Sequence, residues 1–289
     1  MNQTTIFYKS KTILIEKLEK QSNINVLKEK NFFSKIFSKK EHANIYFHTG
    51  KLGEEAINNI KNSRITIVNS FSMRNDITDK IEIEKDRVQV IYPSINIDFK
   101  EPSIIKEKIC EELGIDLDSK IIFFTAKNLK SSGVKEFLDI CSNLSYENFK
   151  IIIASTEQQI NALKFQLPKY EGIKNKLILL DNYKNIDNLF LASDIFILPT
   201  TTKSFNINIL KAMFCECAVF VTIQNDAKEV VDVFASMESP SDSSILFKID
   251  AILKSQNDLE QIKKQNRTLA QEFTLSSNLE KINHIIENV

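Results

Sequence analysis

Two lysines eight residues apart stand where this sequence is most expected to do chemistry. Lys203 lies in a polar loop after a buried apolar run, and Lys211 lies on the helix that follows that loop. An ammonium group donates hydrogen bonds and accepts none, so such a pair favours contacts with anionic groups. The alternative is that both lysines are solvated residues at the rim of a cleft that is no longer used.

Neighbouring residues predict the elements that position these lysines. Ile195 to Leu198 is a fully apolar run that ends at Pro199, and a helix is predicted over residues 207–213. A short apolar run between turn signals and helices is typical of a buried parallel strand. Ligands of parallel α/β sheets bind just beyond the carboxyl ends of the strands. The loop over residues 199–205 is therefore the predicted place for a ligand.

Composition limits the class of protein. The 289 residues include 38 basic and 38 acidic side chains, so no global charge favours nucleic acid. Hydrophobic residues make up 43% of the chain, enough for one large or two ordinary domains, and the apolar runs are shorter than a membrane span. The polar start of the chain lacks the apolar core of a signal peptide, so a cytoplasmic protein is expected.

Cysteines and glycines argue against two common kinds of site. Cys215 and Cys217 form a lone Cys-x-Cys pair, and with three histidines in the chain they lack the four-ligand spacing of a zinc site. We therefore expect no metal, and the four cysteines are predicted to be small buried hydrophobes. The five glycines are never adjacent, and neither a P-loop nor a G-x-G-x-x-G motif occurs.

Residues 27–41, LKEKNFFSKIFSKKE, predict a helix with an apolar stripe and flanking lysines. One interpretation is an interfacial helix on anionic lipid, where each lysine adds about 1 kcal/mol to binding. The other is a helix that buries its phenylalanines in the core and solvates its lysines. Both interpretations stay open. The residues concerned are Lys30, Phe32, Phe33, Lys35, Ile36, Phe37, Lys39 and Lys40.

Strands and helices alternate along most of the chain, which favours parallel sheets flanked by helices. Strands are predicted over residues 4–8 and 120–125, and a helix over residues 104–113 is predicted to end at Gly114. Turn residues at both ends of PSINIDFKEP, residues 93–102, indicate a connection between domains. The prediction is an α/β protein of two domains. The first is residues 1–95 joined by a C-terminal helix over 277–289, and the second is residues 96–276.

Local signals carry further predictions. Residues 69–75 are predicted to form a turn, and Ser277 with Glu280 has the spacing of a capping box at the start of the last helix. Asp194 is expected to cap a helix or to hydrogen-bond locally. Glu229 is expected to cap the helix that follows it.

Four segments resemble the retaining GT-B glycosyltransferases of the large GT4 family. YFHT at residues 46–49 is similar to that family's strand-end histidine segment, and VIYPSINIDF at 90–99 is similar to its linker between domains. KNLKSSGV at 127–134 stands where the diphosphate-binding loop falls, and ASDIFILPTTTKSFNINILKAM at 192–213 matches the best-known signature. The resemblance implies two Rossmann-like domains, with the last helix crossing back to a shortened N-terminal domain on the acceptor side.

The resemblance also implies a nucleotide-sugar site whose usual residues are replaced in this chain. In the family, two glutamates eight residues apart contact the sugar and the ribose, while an arginine and a lysine neutralise the diphosphate. The two glutamates fall on Lys203 and Lys211. The arginine and lysine fall on Lys127 and Ser132, with Lys130 on the same loop.

Two residues of the family's expected site remain. His48 is the catalytic candidate, and Glu229 keeps its donor-site position. A histidine that closes a strand is also a common structural group, so the residues alone leave the role of His48 open.

Two function classes follow. In the first, the chain is a glycosyltransferase-like protein with a degenerate donor site, a non-catalytic scaffold or partner subunit on the cytoplasmic face of a membrane. In the second, it is an active retaining glycosyltransferase of surface glycan or envelope polysaccharide assembly, with a donor site rebuilt around its lysines. The simultaneous loss of both carboxylates favours the first, because an ammonium cannot accept the hydrogen bonds that a carboxylate accepts. The expected partners are a protein in a larger assembly and an anionic membrane surface, with no nucleic acid, and a nucleotide-sugar only if the chain is active.

Overall fold

The computed structural model describes residues 3–27 and 41–289. The chain divides into two compact units, one made of Met1–Asn96 with Glu272–Val289 and the other of Ile97–Gln271. Each unit contains a parallel sheet with helices. The predicted α/β class, with two Rossmann-like sheets, is confirmed.

The sheet of the first unit has the strand order β2-β1-β3-β4-β5, and all of its pairs are parallel. The strands are β1 (Thr4–Tyr8), β2 (Ile24–Val26), β3 (Ile45–Phe47), β4 (Ile65–Val68) and β5 (Val88–Val90). In the described part of this unit, three helices lie between the strands in sequence, α1 (Ile13–Leu18), α2 (Glu54–Asn62) and α3 (Phe71–Lys80), with a short 3-10 helix at Lys85–Arg87.

The sheet of the second unit has the order β11-β10-β9-β6-β7-β8, again with parallel pairs. The strands are β6 (Lys120–Thr125), β7 (Phe149–Ser155), β8 (Leu177–Asp181), β9 (Ile195–Leu198), β10 (Ala218–Thr222) and β11 (Ser236–Met237). The helices are α4 (Pro102–Leu113), α5 (Val134–Ser142), α6 (Glu157–Lys164), α7 (Ile186–Ala192), α8 (Ile207–Phe214), α9 (Ser244–Lys254) and α10 (Gln256–Ala270). Short 3-10 helices occur at Leu167–Lys169, Glu171–Lys176, Asp226–Val230, Val233–Ala235 and Gln271–Phe273.

Central strands of the second unit form where the sequence is apolar on both faces. β9 and the apolar residues of β6 are fully buried, and both strands have the predicted bounds. Burial on both faces is what helices on either side of a parallel sheet impose. Gly114 ends α4 as predicted, with φ 64, a left-handed conformation that glycine adopts without strain.

The last helix, α11 (Leu275–Glu287), belongs to the first unit. Its Ile282 and Ile286 are buried in the same cluster as Ile6 of β1. Asn278 is also buried, and its side-chain amide donates to Tyr92 O at 2.9 Å. A polar contact inside this apolar interface fixes how the helix is rotated, because the amide must find its acceptor.

The turn predicted over residues 69–75 is wrong. Where a turn was predicted over residues 69–75, helix α3 begins, capped by Ser70 Oγ, which accepts from Met73 N at 3.0 Å. The sequence of α3 lacks the periodic apolar positions that indicate a helix, because Ile77 is its one buried residue. The helix α9 and strand β2 were not predicted.

The capping box at Ser277 is also wrong. α11 starts two residues earlier, with Thr274 as its cap, and Thr274 Oγ1 accepts from the Ser277 N–H at 3.3 Å. Ser277 is therefore the donor of the capping contact, inside the first turn.

Asp194 is a long-range ion-pair residue, and the expectation of a local contact is wrong. Its carboxylate is 4% exposed and accepts from Lys106 Nζ at 2.9 Å, Lys263 Nζ at 3.4 Å and Ile121 N at 2.9 Å. Burial alone raises the pKa of Asp194, but the two ammonium groups outweigh it and hold the pKa below its ordinary value. The cluster ties α4 and α10 to β6.

The helix predicted over residues 27–41 falls almost entirely on residues 28–40, outside the described residues. The residues predicted to contact a membrane all lie in this range, namely Lys30, Phe32, Phe33, Lys35, Ile36, Phe37, Lys39 and Lys40. No helix in the described ranges has the length and apolar character needed to cross a membrane.

The four cysteines are buried free thiols, as predicted. Within the same ranges, no group of three or more histidine, cysteine, aspartate or glutamate side chains is placed to hold a metal ion.

Candidate functional site

A cleft of about 310 Å³ opens at the carboxyl ends of β6, β7 and β8. This is the sheet edge at which parallel α/β units bind ligands. The cleft brings together Lys127 and Lys211, two of the predicted site residues that are far apart in the sequence. Its other polar lining residues include Thr125, Ser155, Thr156, Asn182, Tyr183 and Asn208.

Reciprocal hydrogen bonds tie the strand ends at this edge. Thr125 Oγ1 donates to Ala154 O at 2.8 Å, and Ser155 Oγ donates to Ala126 O at 2.8 Å. Each strand thus supplies a hydroxyl to the neighbouring strand's carbonyl. The carbonyls are satisfied where the sheet ends, and the spacing of the two strand ends is fixed.

Lys211 forms an ion pair in this cleft. Its Nζ atom lies 3.0 Å from Asp187 Oδ1, which connects α8 to α7. The side chains are 25% and 39% exposed, so the pair is partly solvated. The ammonium is neutralised by a carboxylate from another helix, and that carboxylate keeps unused acceptor capacity.

Lys203 is exposed, and its loop is fixed through its backbone. The Asn225 side-chain amide donates to Thr202 O and to Ser204 O, each at 2.8 Å, and Asp226 N donates to Lys203 O at 2.8 Å. Three consecutive carbonyls are therefore bound from one turn. Asn225 is 1% exposed, so this support is buried beneath the loop.

The neighbouring loop, which carries Lys127, Lys130 and Ser132, packs against the loop after β9. Gly133 has φ 87, and a Cβ atom at this position would lie 1.9 Å from Pro199 O. Both the conformation and the close approach require glycine. Lys130 is exposed and Ser132 is half-buried, and neither lines the cleft.

Glu229 lies within the 3-10 helix Asp226–Val230. The cap of that helix is Asn225, whose Oδ1 accepts from Ala227 N at 3.0 Å. The helix that follows Glu229 is the 3-10 helix Val233–Ala235, and its cap is Asp232, whose Oδ1 accepts from Phe234 N at 2.7 Å, so the expectation that Glu229 caps it is wrong. Glu229 is half-buried and does not line the cleft.

His48 belongs to the first unit and directly follows β3. It is 2% exposed, its Nδ1 lies 3.3 Å from Tyr46 Oη, and its backbone N–H donates to Ile67 O at 2.9 Å. Burial lowers the pKa of His48 because the charged imidazolium is poorly solvated. The ring is therefore held neutral near pH 7, as a hydrogen-bonding group.

The family model for glycosyl transferases group 1 matches residues 105–269, more than half of the chain. The chain belongs to this family. Among curated proteins, no sequence match was found.

Solved structures similar to this glycosyl transferases group 1 chain have the GT-B fold. A glycosyltransferase from Rickettsia africae has 16% identity and a TM-score of 0.76, over 99% of this chain and 76% of that one. WaaG, a glycosyltransferase involved in lipopolysaccharide biosynthesis, has 13% identity and a TM-score of 0.67, over 98% and 99%. Anabaena HepE in complex with UDP-glucose has 16% identity and a TM-score of 0.70, over 85% and 72%. At such identities these likenesses establish the shared fold.

Three polar residues that shape this group 1 site were not identified from the sequence. Asp187 pairs with Lys211, Asn225 holds the Lys203 loop, and Asn208 Nδ2 donates to Thr125 O at 3.0 Å. Asn225 follows the apolar run that forms β10, and polar residues at the carboxyl ends of parallel strands often line the ligand site. This position could have identified Asn225 as a site residue. Nothing in the sequence distinguished Asp187 from other helix acids.

Proposed function

We propose that this group 1 chain does not transfer sugar and serves as a scaffold or partner subunit of a larger assembly. The ion pair between Lys211 and Asp187 carries the proposal. At this position the resemblance places a carboxylate that accepts hydrogen bonds from the ribose. The ammonium has no lone pair for a hydroxyl donor, and it already donates to Asp187.

The second carboxylate position supports the same conclusion. Lys203 stands where the resemblance places the glutamate that contacts the sugar, and its backbone is fixed by the bonds to Asn225 and Asp226. A side-chain rotation cannot turn an ammonium into an acceptor. Both hydroxyl-binding contacts of the family's site are therefore lost together.

The diphosphate side is weakened as well. Lys127 supplies a point charge where the resemblance places a planar guanidinium, and Ser132 is neutral where it places a lysine. Fewer cations offset less of the charge that develops on a leaving diphosphate. Departure of the diphosphate during sugar transfer would therefore have weaker electrostatic support.

The alternative is an active retaining glycosyltransferase, of hexosyltransferase type, that uses a nucleotide-sugar donor in surface glycan or envelope polysaccharide assembly. The cleft of about 310 Å³ favours it, since Lys127 and Lys211 both line a space within the size range of small-ligand sites. In this alternative Lys127, Lys130, Lys203 and Lys211 bind a donor or acceptor that is rich in anionic groups.

The basic aromatic segment, residues 27–41, supports a location on the cytoplasmic face of a membrane. The segment combines phenylalanines with lysines and few acids. Such a composition binds anionic lipid through both apolar contact and charge. This part of the proposal rests on the sequence.

Thermal unfolding with millimolar UDP, GDP or their sugars tests the proposal. We expect no change in melting temperature and no release of nucleotide from the sugar donors. A bound ligand at a hundred times its dissociation constant would add about 2.7 kcal/mol, which is a rise of several degrees. Such a rise together with release of nucleotide from a sugar donor, both abolished in Lys127→Ala and kept in Lys108→Ala, would establish the active alternative. Lys108 is a suitable control because it is an exposed lysine of α4 that does not line the cleft.

A further inference from the structure

Buried polar side chains surround His48 in the first unit, beside the helix α2. His48 is 2% exposed and Tyr46 is 1% exposed, and Tyr46 belongs to the same buried cluster as Ile60 of α2. Tyr46 Oη lies 3.3 Å from His48 Nδ1, whereas His48 Nε2 has no hydrogen-bond partner among the described residues. The buried ring therefore has one of its two nitrogen atoms engaged.

These surroundings suit a neutral imidazole and oppose an imidazolium. A neutral ring has one N–H donor, whereas an imidazolium has two donors and carries a full positive charge. Tyr46 Oη can accept from one of those donors, and the donor at Nε2 has no acceptor at hydrogen-bonding geometry. A buried charge and a buried unsatisfied donor each raise the free energy of the folded state.

The neighbouring groups do not compensate the charge of a protonated ring. Burial lowers the pKa of His48 and Lys9 lowers it further, while the backbone of Gly50, near the ring but outside hydrogen-bonding geometry, opposes both. Glu55 of α2 already accepts from Lys9 Nζ at 2.8 Å. The side chain of β4 opposite Tyr46 is Thr66, which does not titrate. Among the described residues, the proton therefore meets a cation and an acid that is paired with that cation.

The helix α2 is held more firmly at its C-terminal end than at its N-terminal end. At the C-terminal end, Arg87 Nη2 donates to Lys61 O at 3.1 Å. At the N-terminal end the cap is Gly53, which forms no side-chain cap bond, and Ala56 and Ile60 are the buried residues among the helix's nine. The ion pair there is 39% and 47% exposed, so it contributes little. The N-terminal turns can therefore open at lower cost than unfolding of the unit.

We propose that the first unit contains an acid-sensitive switch, in which protonation of His48 detaches the N-terminal part of α2 from the sheet. Detachment brings water to the charged ring and removes the cost of its burial. Because the folded pKa lies below that of an unfolded histidine, about 6.5, the closed form keeps its full stability above that pH. That stability is lost as the pH falls below it. The switch is independent of whether the second unit binds a nucleotide-sugar.

Hydrogen exchange measured by mass spectrometry at pH 7.5 and pH 5.5 tests the switch. Carboxylates with ordinary pKa values, about 4.3 for glutamate, stay ionised at both pH values. After correction for the intrinsic exchange rate, we expect the protection of α2 to fall about tenfold at pH 5.5, because opening is favoured about tenfold for each pH unit below 6.5. The helix α11 of the same unit should keep its protection. Unchanged protection of α2, or an equal loss in α11, would overturn the proposal.

His48→Gln tests whether this ring is the source of the pH dependence. Glutamine stays neutral at both pH values and keeps hydrogen-bonding groups. We therefore expect equal protection of α2 at pH 7.5 and pH 5.5 in this variant. His284→Gln is the matched control, since His284 is an exposed histidine of α11, and it should keep the pH dependence of the wild type. A His48→Gln chain with that same pH dependence would refute the role of the ring.

A titration of the native chain gives the same test without a variant. Nuclear magnetic resonance of the histidine ring protons follows the protonation of His48, and hydrogen exchange at each pH follows the opening of α2. We expect both transitions to occur together below pH of about 6.5. Opening of α2 while His48 is still neutral, or protonation of His48 while α2 stays closed, would contradict the switch.

Discussion

The Lys211 Nζ atom lies 3.0 Å from Asp187 Oδ1 beside the cleft of the second unit. The lysine stands where the family resemblance places a ribose-binding glutamate, and an acid stands next to it. The ammonium at this position is thus neutralised by an acid on another helix. Because both side chains are partly exposed, the pair itself contributes about 0.2–1 kcal/mol.

Restoring a carboxylate at this position is expected to create a conflict. Lys211→Glu places two carboxylates side by side and should lower the free energy of unfolding. Asp187→Asn in the same chain should relieve that repulsion, with a coupling energy of about 0.5 kcal/mol or more. Urea unfolding of the wild type, both single variants and the double variant measures this coupling. Strictly additive effects would show that the two residues do not interact.

Asp194→Asn is expected to lower the free energy of unfolding by about 3–5 kcal/mol. The substitution removes the carboxylate that Lys106 and Lys263 share, and it leaves two largely buried ammonium groups without it. Asp118→Asn is the control, since Asp118 is exposed. A loss at Asp194 no larger than at Asp118 would contradict the role of the cluster.

The same carboxylate gives a pH dependence whose sign follows from its lowered pKa. The folded chain holds Asp194 ionised, so its contribution is present above the pKa of an unfolded aspartate, about 3.9. That contribution is lost as the pH falls through the folded pKa. The stability difference between wild type and Asp194→Asn should therefore shrink between pH 7 and pH 3, as urea unfolding at each pH would measure.

Gly133→Ala is expected to destabilise the second unit. A left-handed conformation costs a non-glycine residue about 1–3 kcal/mol at strained sites, and the added methyl group also meets Pro199 O. Gly172→Ala is the matched control, because no atom lies within 4 Å of its Cβ position. Thermal unfolding of both variants gives the comparison, and similar melting temperatures would refute the close approach.

Flotation with anionic liposomes tests the segment over residues 27–41. Changing Lys35, Lys39 and Lys40 to glutamate should abolish binding, since each lysine near an anionic surface contributes about 1 kcal/mol. Liposomes of neutral lipid are the control for purely apolar attachment. If native and substituted chains float equally with anionic lipid, the segment is not an electrostatic membrane anchor.

Much of the fold could be predicted because its signals are local. Strands such as β1, β6 and β9 have their predicted bounds, since short apolar runs between turn residues permit few other structures. The helix α3 could not be predicted, because its polar sequence has almost no buried face. The parallel pairing of the strands was predicted from the alternation of strands and helices, whereas the order of the strands in each sheet was not predicted.

The position of the candidate site at the carboxyl ends of the strands could be predicted from the sequence, but the contacts between its side chains could not. The sequence by itself determined that Lys203 and Lys211 follow a buried strand, that acids are missing there, and that the resemblance is to nucleotide-sugar enzymes. Only the tertiary structure decided that Lys211 meets Asp187 and that Asn225 holds the Lys203 loop. The physical reason is that such contacts join residues brought together by packing, and the direction of each side chain depends on neighbours distant in sequence.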